Sequence, residues 1–368
     1  LGATLNGQLC PDCAFLGTRP LPYGVGPVAS RSPAPVGVET DNFVRCGAYH
    51  YFVGSKDFES AIWRTDGTIA GTHAVVPIGT MANPGSVRSL QCFDLGSGPE
   101  LWFVITRRTG RELWVSGGTT ASTRPLVTHV DIDQMAQVGN LVVFACNRTG
   151  LGMEPWISDG TPAKTGLLKN IQGRAASSTP RDFATDPSGR NCYFTASDQT
   201  NGRALWRTDG TEPGTVPVKT LLPNQTVYPG GIVFLGQRMV IDAGALFFSD
   251  GTPAGTQGYR DPIAPTLLDH AISGGKLYFM ANWRDGQELW TTDGTPSGTR
   301  QVADLWPGFR GSLPQSFFAS SSTVFFTAMV AGRGREPFVF DGTTVRSLGE
   351  LEPGSGSSSI SSWARLSA

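Results

Sequence analysis

The sequence predicts an all-β chain folded as a β-propeller of seven four-stranded blades. Three observations carry the prediction. A strand–turn–strand unit typified by Glu288-Leu289-Trp290-Thr291-Thr292-Asp293-Gly294-Thr295 recurs seven times, with the residue before the turn glycine at positions 66, 117, 159, 209, 250, 293 and 341. The steps of 51, 42, 50, 41, 43 and 48 residues match the roughly 40–50 residues of one blade. Short apolar runs bounded by turn residues fill the intervals, as all-β structure requires.

Within each unit the strands are named A to D in chain order. The A–B turn is marked by Gly47, Gly98, Gly139, Gly189, Gly236 and Gly274, with Ser321 in the last unit. Strand B is the apolar run that follows, as in Tyr51-Phe52-Val53, Leu141-Val142-Val143-Phe144 and Leu277-Tyr278-Phe279. Strand C carries a Trp or Phe three residues before the turn Asp, a large apolar anchor. Asp-Gly closes the C–D turn because Gly takes positive φ freely and Asp binds nearby backbone N–H groups. Strand D follows, as in Thr299 to Leu305. In the second unit Gly117 replaces the Asp.

Residues 38–350 form the repeat-built body. Residues 1–37 form an N-terminal extension contributing a ring-closing strand, and residues 351–368 a C-terminal closing strand. A closed ring leaves no sheet edge open. The termini either seal seven blades or build a composite eighth, with strand A from the tail and strand D from residues 17–22.

These units resemble the bacterial ELWxxDGT-repeat family, with six good copies and the degraded one at Gly117. The resemblance implies a β-propeller in a secreted or cell-surface protein. Ala196-Ser197-Asp198 with Gly202 and Trp206 is also similar to the tryptophan-docking motif of quinoprotein propellers, which implies a Trp packed between neighbouring blades rather than a quinone.

Net charge is −1, so no global field favours nucleic acid. No apolar run reaches the roughly 18 residues that span a bilayer. Six cysteines, Cys10, Cys13, Cys46, Cys92, Cys146 and Cys192, suggest disulfides in an extracellular context. A redox pair or half of a zinc site at Cys10-Pro-Asp-Cys13 is the alternative, without a second motif to complete it. No leader is visible at Leu1, and a monomer is expected.

Aligning the A strands gives an apolar column of Phe43, Met135, Phe183, Ile232, His270 and Phe317, expected to face a neighbouring blade. The preceding column, Asn42, Gln134, Asp182, Gly231, Asp269 and Ser316, is polar or small and expected to face the channel. Asp41, Asp133, Arg181 and Gln315 come one step earlier. Ligand-binding candidates in the channel are therefore Asp41, Asn42, Asp133, Gln134, Arg181, Asp182, Asp269, Gln315 and Ser316. The B–C turns are rich in arginine, and Arg108, Arg148, Arg203, Arg284 and Arg333 are candidates for a binding rim. Acids near them, including Glu112, Glu154, Glu288 and Glu336, are expected to form local ion pairs with the arginines of these turns, Arg107, Arg111 and Arg335 among them.

No Gly-x-Ser-x-Gly elbow, His-Glu-x-x-His or phosphate loop is present, so no catalytic residue is named. The four histidines are scattered, and packing is their expected role. No cofactor is expected. Calcium is the one ion the turns raise, but each turn brings one carboxylate where calcium takes about 6–8 oxygens. The leading expectation is an extracellular propeller that binds a glycan or a protein on the face of its inter-blade loops. The alternative is a propeller enzyme, a polysaccharide hydrolase or lyase or a quinone-dependent dehydrogenase, with channel carboxylates as acid–base groups.

Overall fold

The structure, a computed structural model, describes residues 37–38, 43–56, 59–80, 85–128, 131–173, 175–198, 202–222, 230–259, 263–284, 286–320, 322–351, 353–354, 356–358 and 360. Seven antiparallel sheets follow one another along them, and the chain is a seven-bladed β-propeller. Two compact units, residues 1–177 and 178–368, hold blades 1 to 3 and blades 4 to 7.

Blade 1 comprises β1 (Gly37–Val38), β2 (Val44–Cys46), β3 (Tyr49–Lys56), β4 (Glu59–Thr65) and β5 (His73–Gly79). Its first strand is in two pieces, since β1 and β2 both pair with β3. Blade 2 is β6 (Ser86–Asp94), β7 (Pro99–Arg107), β8 (Gly110–Ser116) and β9 (Arg124–Thr128). Blade 3 is β10 (Asp131–Val138), β11 (Leu141–Arg148), β12 (Gly152–Ser158) and β13 (Gly166–Leu167). Blade 4 is β14 (Arg181–Thr185), β15 (Cys192–Asp198), β16 (Gly202–Thr208) and β17 (Val216–Leu222). Blade 5 is β18 (Gly231–Leu235), β19 (Arg238–Asp242), β20 (Leu246–Ser249) and β21 (Gln257–Gly258). Blade 6 is β22 (Ala264–Ser273), β23 (Lys276–Trp283), β24 (Gly286–Thr292) and β25 (Arg300–Ala303). Blade 7 is β26 (Gln315–Ser320), β27 (Thr323–Val330), β28 (Gly334–Phe340) and β29 (Val345–Ser347). Of the expected terminal closing strands, residues 1–36 lie outside the described residues, and within 351–368 only 351, 353–354, 356–358 and 360 are described, none of them in a strand. A composite eighth blade built with residues 17–22 lies outside the described residues.

The cores lie between neighbouring blades. Trp102, Leu113 and Val115 of blade 2 pack with Met135, Phe144 and Trp156 of blade 3. Val240 and Phe248 of blade 5 pack with Phe279 and Trp290 of blade 6. The repeated anchor fixes the register. Phe52 faces Trp63, Phe144 faces Trp156, Phe194 faces Trp206 and Phe326 faces Phe338 across strands B and C. The A-strand aromatics extend the rows: Phe183, Phe194 and Trp206 stack with centroids 5.1 and 6.4 Å apart. Such contacts stabilise beyond the apolar area they bury.

The C–D turn is more elaborate than Asp-Gly-Thr. In blade 6 Asp293 Oδ1 accepts from Thr295 N at 2.9 Å and from Thr295 Oγ1 at 2.6 Å. Thr292 and Thr299 share a hydroxyl hydrogen bond of 2.7 Å. Gly294 has φ of +85°, which an L side chain resists. A Cβ on Gly298 would sit 2.1 Å from Asp293 Oδ1, so in this blade the glycine leaves the carboxylate its room, whereas in blade 3 Lys164 holds that position and pairs with Asp159 at 3.2 Å. The working motif is thus hydroxyl-Asp-Gly-Thr-x-x-Gly-Thr, and the hydroxyl pair recurs at Thr65–Thr72, Thr208–Thr215 and Ser249–Thr256. In blade 2 Gly117 replaces the Asp and Ser122 replaces the second glycine, and the Ser122 hydroxyl accepts from Thr119 N at 3.2 Å. The turn keeps its shape and loses its charge.

Cys46 and Cys92 form a disulfide between the first strands of blades 1 and 2. Among the described residues no second disulfide forms: Cys146 and Cys192 are free and buried, and burial pushes both thiols up to about 12. Cys10 and Cys13 lie outside the described residues. No helix among the described residues is long and apolar enough to cross a membrane.

Candidate functional site

The polar column of the A strands does not run as regular strand. The ladder slips between Arg88 and Gln91, Ile132 and Met135, Arg181 and Ala184, Thr266 and His270, and Gln315 and Phe318. Each slip is a β-bulge, which kinks the strand and re-aims its side chains. Asp182 and Ser316 sit in these bulges with φ of +61° and +57°, a conformation that Asp tolerates better than most residues.

Around the blade 4 bulge the structure gathers a buried polar network. Thr195 Oγ1 donates to Asp182 Oδ2 at 3.0 Å and accepts from Arg203 Nη1 at 3.0 Å. Arg203 Nη2 donates to Thr179 Oγ1 at 3.2 Å, bracing another residue with positive φ. Asp242, at the end of β19, adds a second carboxylate. It accepts from Gly244 N at 2.9 Å and from the Leu267 backbone in the blade 6 bulge. A Cβ on Gly230 would lie 2.1 Å from Asp242 Oδ2, so the carboxylate occupies space that only a glycine leaves.

Both acids are held protonated to higher pH than usual. Burial pushes Asp182 up to about 6; Thr195 and Arg203 oppose this, and the charge of Asp242 adds to it. Burial likewise pushes Asp242 up to about 6, against the backbone donors of Gly244 and Leu267. Two carboxylates titrating near neutrality are suited to proton transfer.

The linkage gives a testable pH profile. A folded pKa raised above the unfolded value contributes stability that is complete below about pH 4 and is lost as pH rises through about 6. The loss is on the order of 3 kcal/mol for each acid by pH 7. Turn acids such as Asp66, Asp209 and Asp250 are shifted the other way, chiefly by hydrogen bonds from the following Thr. Their contribution is lost as pH falls below about 4. Maximum stability in denaturant titrations is therefore expected between about pH 4 and 6, and Asp182→Asn should flatten the fall above it. Parent stability that climbs steadily from pH 4 to 8 would refute the assignment.

The remaining candidates are placed as follows. Asp41 and Asn42 lie outside the described residues, as does the side chain of Asp133. Gln134 is half-buried in the blade 3 bulge, Arg181 is half-buried before Asp182, and Gln315 is exposed before Ser316. Asp269 is tied down by the next blade: its carboxylate accepts from Ser316 N and, at 3.1 Å, from Phe317 N. His270 Nδ1 lies 2.7 Å from Leu267 O.

Arg108, Arg148, Arg284 and Arg333 are exposed at their B–C turns. Arg203 is not: it is 3% exposed because its guanidinium is drawn into the network under Asp182. The expected ion pairing with strand-C acids forms at Glu112, which Arg107 meets at 3.5 Å, whereas Glu154, Glu288 and Glu336 turn inward and are at most 2% exposed. They accept main-chain N–H groups from the segment leaving their own blade, Ile171 and Gln172, Leu305 and Trp306, and Leu351. Asp242 was not among the sequence candidates. Its signal was the short B–C connection of blade 5, where Asp242-Ala243-Gly244-Ala245 stands in for a long arginine-bearing turn.

No family model matches the chain, and no curated relative does. Solved structures match in fold. A prolyl endopeptidase structure aligns with a TM-score of 0.52 at 11% identity, covering 85% of this chain and 49% of the other. A puromycin hydrolase aligns at 0.46 and 13% identity, covering 88% and 55%. The β-propeller domain of the trilobed protease from Pyrococcus furiosus aligns at 0.42 and 13% identity, covering 86% and 97%. The chain spans about half the length of the prolyl endopeptidase and the puromycin hydrolase. At these identities the likeness is one of fold.

Proposed function

We propose that the protein is an extracellular binding propeller of the ELWxxDGT-repeat type, secreted or held at a cell surface. Its ligand is an acidic glycan or the acidic surface of another protein, engaged by arginines of the B–C turns. The supporting observation is the pairing of an exposed B–C-turn arginine with a tryptophan ring in two blades, the buried strand-C Trp156 in one and Trp283 at the end of strand B in the other. The Arg148 guanidinium lies 5.5 Å from the Trp156 ring centroid, and that of Arg284 lies 5.1 Å from Trp283. A guanidinium steadied by an aromatic face keeps its donor fork open to carboxylate or sulfate. Binding should be weak and salt-sensitive, because exposed charges are screened over about 8 Å at physiological ionic strength. A glycan array at low and physiological salt, with the parent and Arg148→Ala/Arg284→Ala, tests this. Preference for acidic glycans, lost in the double variant, is expected; equal binding by the two proteins would sink the proposal.

The second reading is a polymer-cleaving enzyme with Asp182 and Asp242 as its acid–base pair, favoured by their shared shift toward neutrality. Activity on a polysaccharide that disappears in Asp182→Asn and Asp242→Asn, with binding retained, would support it over the first.

A further inference from the structure

The connection that leaves blade 6 shares its frame with those leaving blades 3 and 7 and differs from both at its tip. In each, a buried strand-C glutamate accepts main-chain N–H groups of the departing segment, from Ile171 and Gln172, Leu305 and Trp306, and Leu351. Six residues after the first of these donors come Ser177, Gly311 and Ser357. Each lies so close to the glycine that opens strand C, Gly152, Gly286 or Gly334, that a Cβ there would touch it. Between these two anchors blade 3 carries Ala175 and Ala176, blade 7 carries Ser355 and Gly356, and blade 6 carries Phe309 and Arg310. The frame calls for no large side chain at the first position, since Ala175 serves in blade 3, yet blade 6 places a phenylalanine there and leaves it 87% exposed.

The blade 6 tip is anchored beside the arginine turn. Gly311 N donates to Gly308 O at 3.1 Å, so Phe309 and Arg310 are the two central residues of a β-turn. Glu288 holds the segment on both sides of that turn, through Leu305 and Trp306 before it and Ser312 after it. Gly308 O and Gly311 N crowd Gly286, and Gly286 pairs with Trp283 at the end of the B–C hairpin that bears Arg284. The two tips therefore adjoin at Gly286. They place Phe309, Arg310 and Arg284, all exposed, on one patch with the half-buried Trp283. Trp283 is itself seated edge-on against Trp290, with ring centroids 5.7 Å apart. A lone exposed apolar residue is ordinary on a protein surface. A ring mounted on an anchored turn among guanidinium groups is suited to stacking.

We infer that this patch grips an acidic polysaccharide, a chain of uronate sugars laid over the two tips, with a sugar ring on Phe309 and its carboxylate on Arg284 or Arg310. The inference rests on the reading of the B–C turns as a glycan-binding face, and it names the sugar class. A pyranose ring presents a face of C–H bonds, which are drawn to the negative face of an aromatic ring. Its carboxylate matches the planar fork of arginine. An acidic protein surface offers the charge without that ring, so it would use the arginines and leave Phe309 idle. Little further ordering is needed on binding, because Glu288 already fixes the backbone under Phe309.

Calorimetric titration of the full chain with oligogalacturonate, its methyl ester and polyglutamate tests the inference. The first carries ring and charge, the second the ring alone and the third the charge alone. Oligogalacturonate should bind the parent most tightly at low salt. Phe309→Ala should weaken that binding at least about tenfold and leave polyglutamate binding and the melting temperature unchanged. Arg310→Ala should weaken both acidic ligands and spare the ester. Two results overturn the inference and leave the arginine face standing. One is oligogalacturonate binding that falls in Arg148→Ala/Arg284→Ala but not in Phe309→Ala. The other is polyglutamate binding as tight as that of oligogalacturonate, which marks an acidic protein surface as the partner. No oligogalacturonate binding by the parent at low salt also overturns it, and the glycan array then decides the arginine reading by itself.

Discussion

Glu288→Ala is expected to destabilise the unit formed by residues 178–368 by about 3–6 kcal/mol, the sum of several buried donors left unpaired. Glu288 is 1% exposed. It accepts from Leu305 N at 3.1 Å, Trp306 N at 3.4 Å and Ser312 N at 2.8 Å, and also from the Ser312 hydroxyl. Burial pushes its carboxyl up, against these four donors. Truncation removes every acceptor at once and leaves the donors in a space water reaches poorly. The segment cannot simply move aside. It is packed so closely under β24 that a Cβ on Gly286 would lie 2.6 Å from Gly311 N. Glu288→Gln keeps one acceptor oxygen and should cost roughly half as much. Urea denaturation, with amide exchange across residues 305–312, measures both effects. A loss below about 1 kcal/mol in the alanine variant would mean that the connection is held by packing alone.

Breaking the Cys46–Cys92 bond is expected to destabilise the unit formed by residues 1–177 by about 4 kcal/mol, the chain-entropy estimate for a loop of this length. The bond closes 46 residues of separation and ties β2 to β6, the first strands of adjacent blades. Cys46 is buried against Tyr51, Val87 and Leu101, so the same link fixes the inter-blade core. The test is a melt with and without reductant, repeated on Cys46→Ser/Cys92→Ser. The variant should melt early and be insensitive to reductant. Cys146 and Cys192 are buried thiols shifted far from reactivity, so they should not obscure the comparison. Equal melting of the oxidised and reduced parent would show that blade packing alone sets the stability.

Blade 2 shows why a repeat can be read and still be misjudged. Gly117 looks like decay of the Asp-Gly-Thr turn, yet Ser122 replaces the lost acceptor from the other side of the turn. The compensation lies five residues away in sequence and is visible only once the turn is folded. The strand-C acids teach the same lesson. Glu154, Glu288 and Glu336 stand near arginines in the sequence, and the sequence predicts local ion pairs between them. A β-strand sends neighbouring residues to opposite faces, and these acids point into the blade, where backbone donors of the departing segment meet them.

The sequence by itself determined the propeller class, the four-strand unit and the Asp-Gly turn that closes it, with seven blades as its first choice over a composite eighth. These are local or periodic properties, set by alternation, glycine placement and aromatic spacing within about 45 residues. Tertiary structure alone decided which polar groups meet across blades. It brought Asp242 near Asp182, bound Asp269 to the blade 7 bulge, withdrew Arg203 from the surface and joined Cys46 to Cys92. Each of these depends on bulges that shift the A strands out of register and on contacts between residues roughly one blade apart in sequence. A one-residue slip sends a side chain to the other face, and no pattern within a single repeat records where the neighbouring repeat will present its partner.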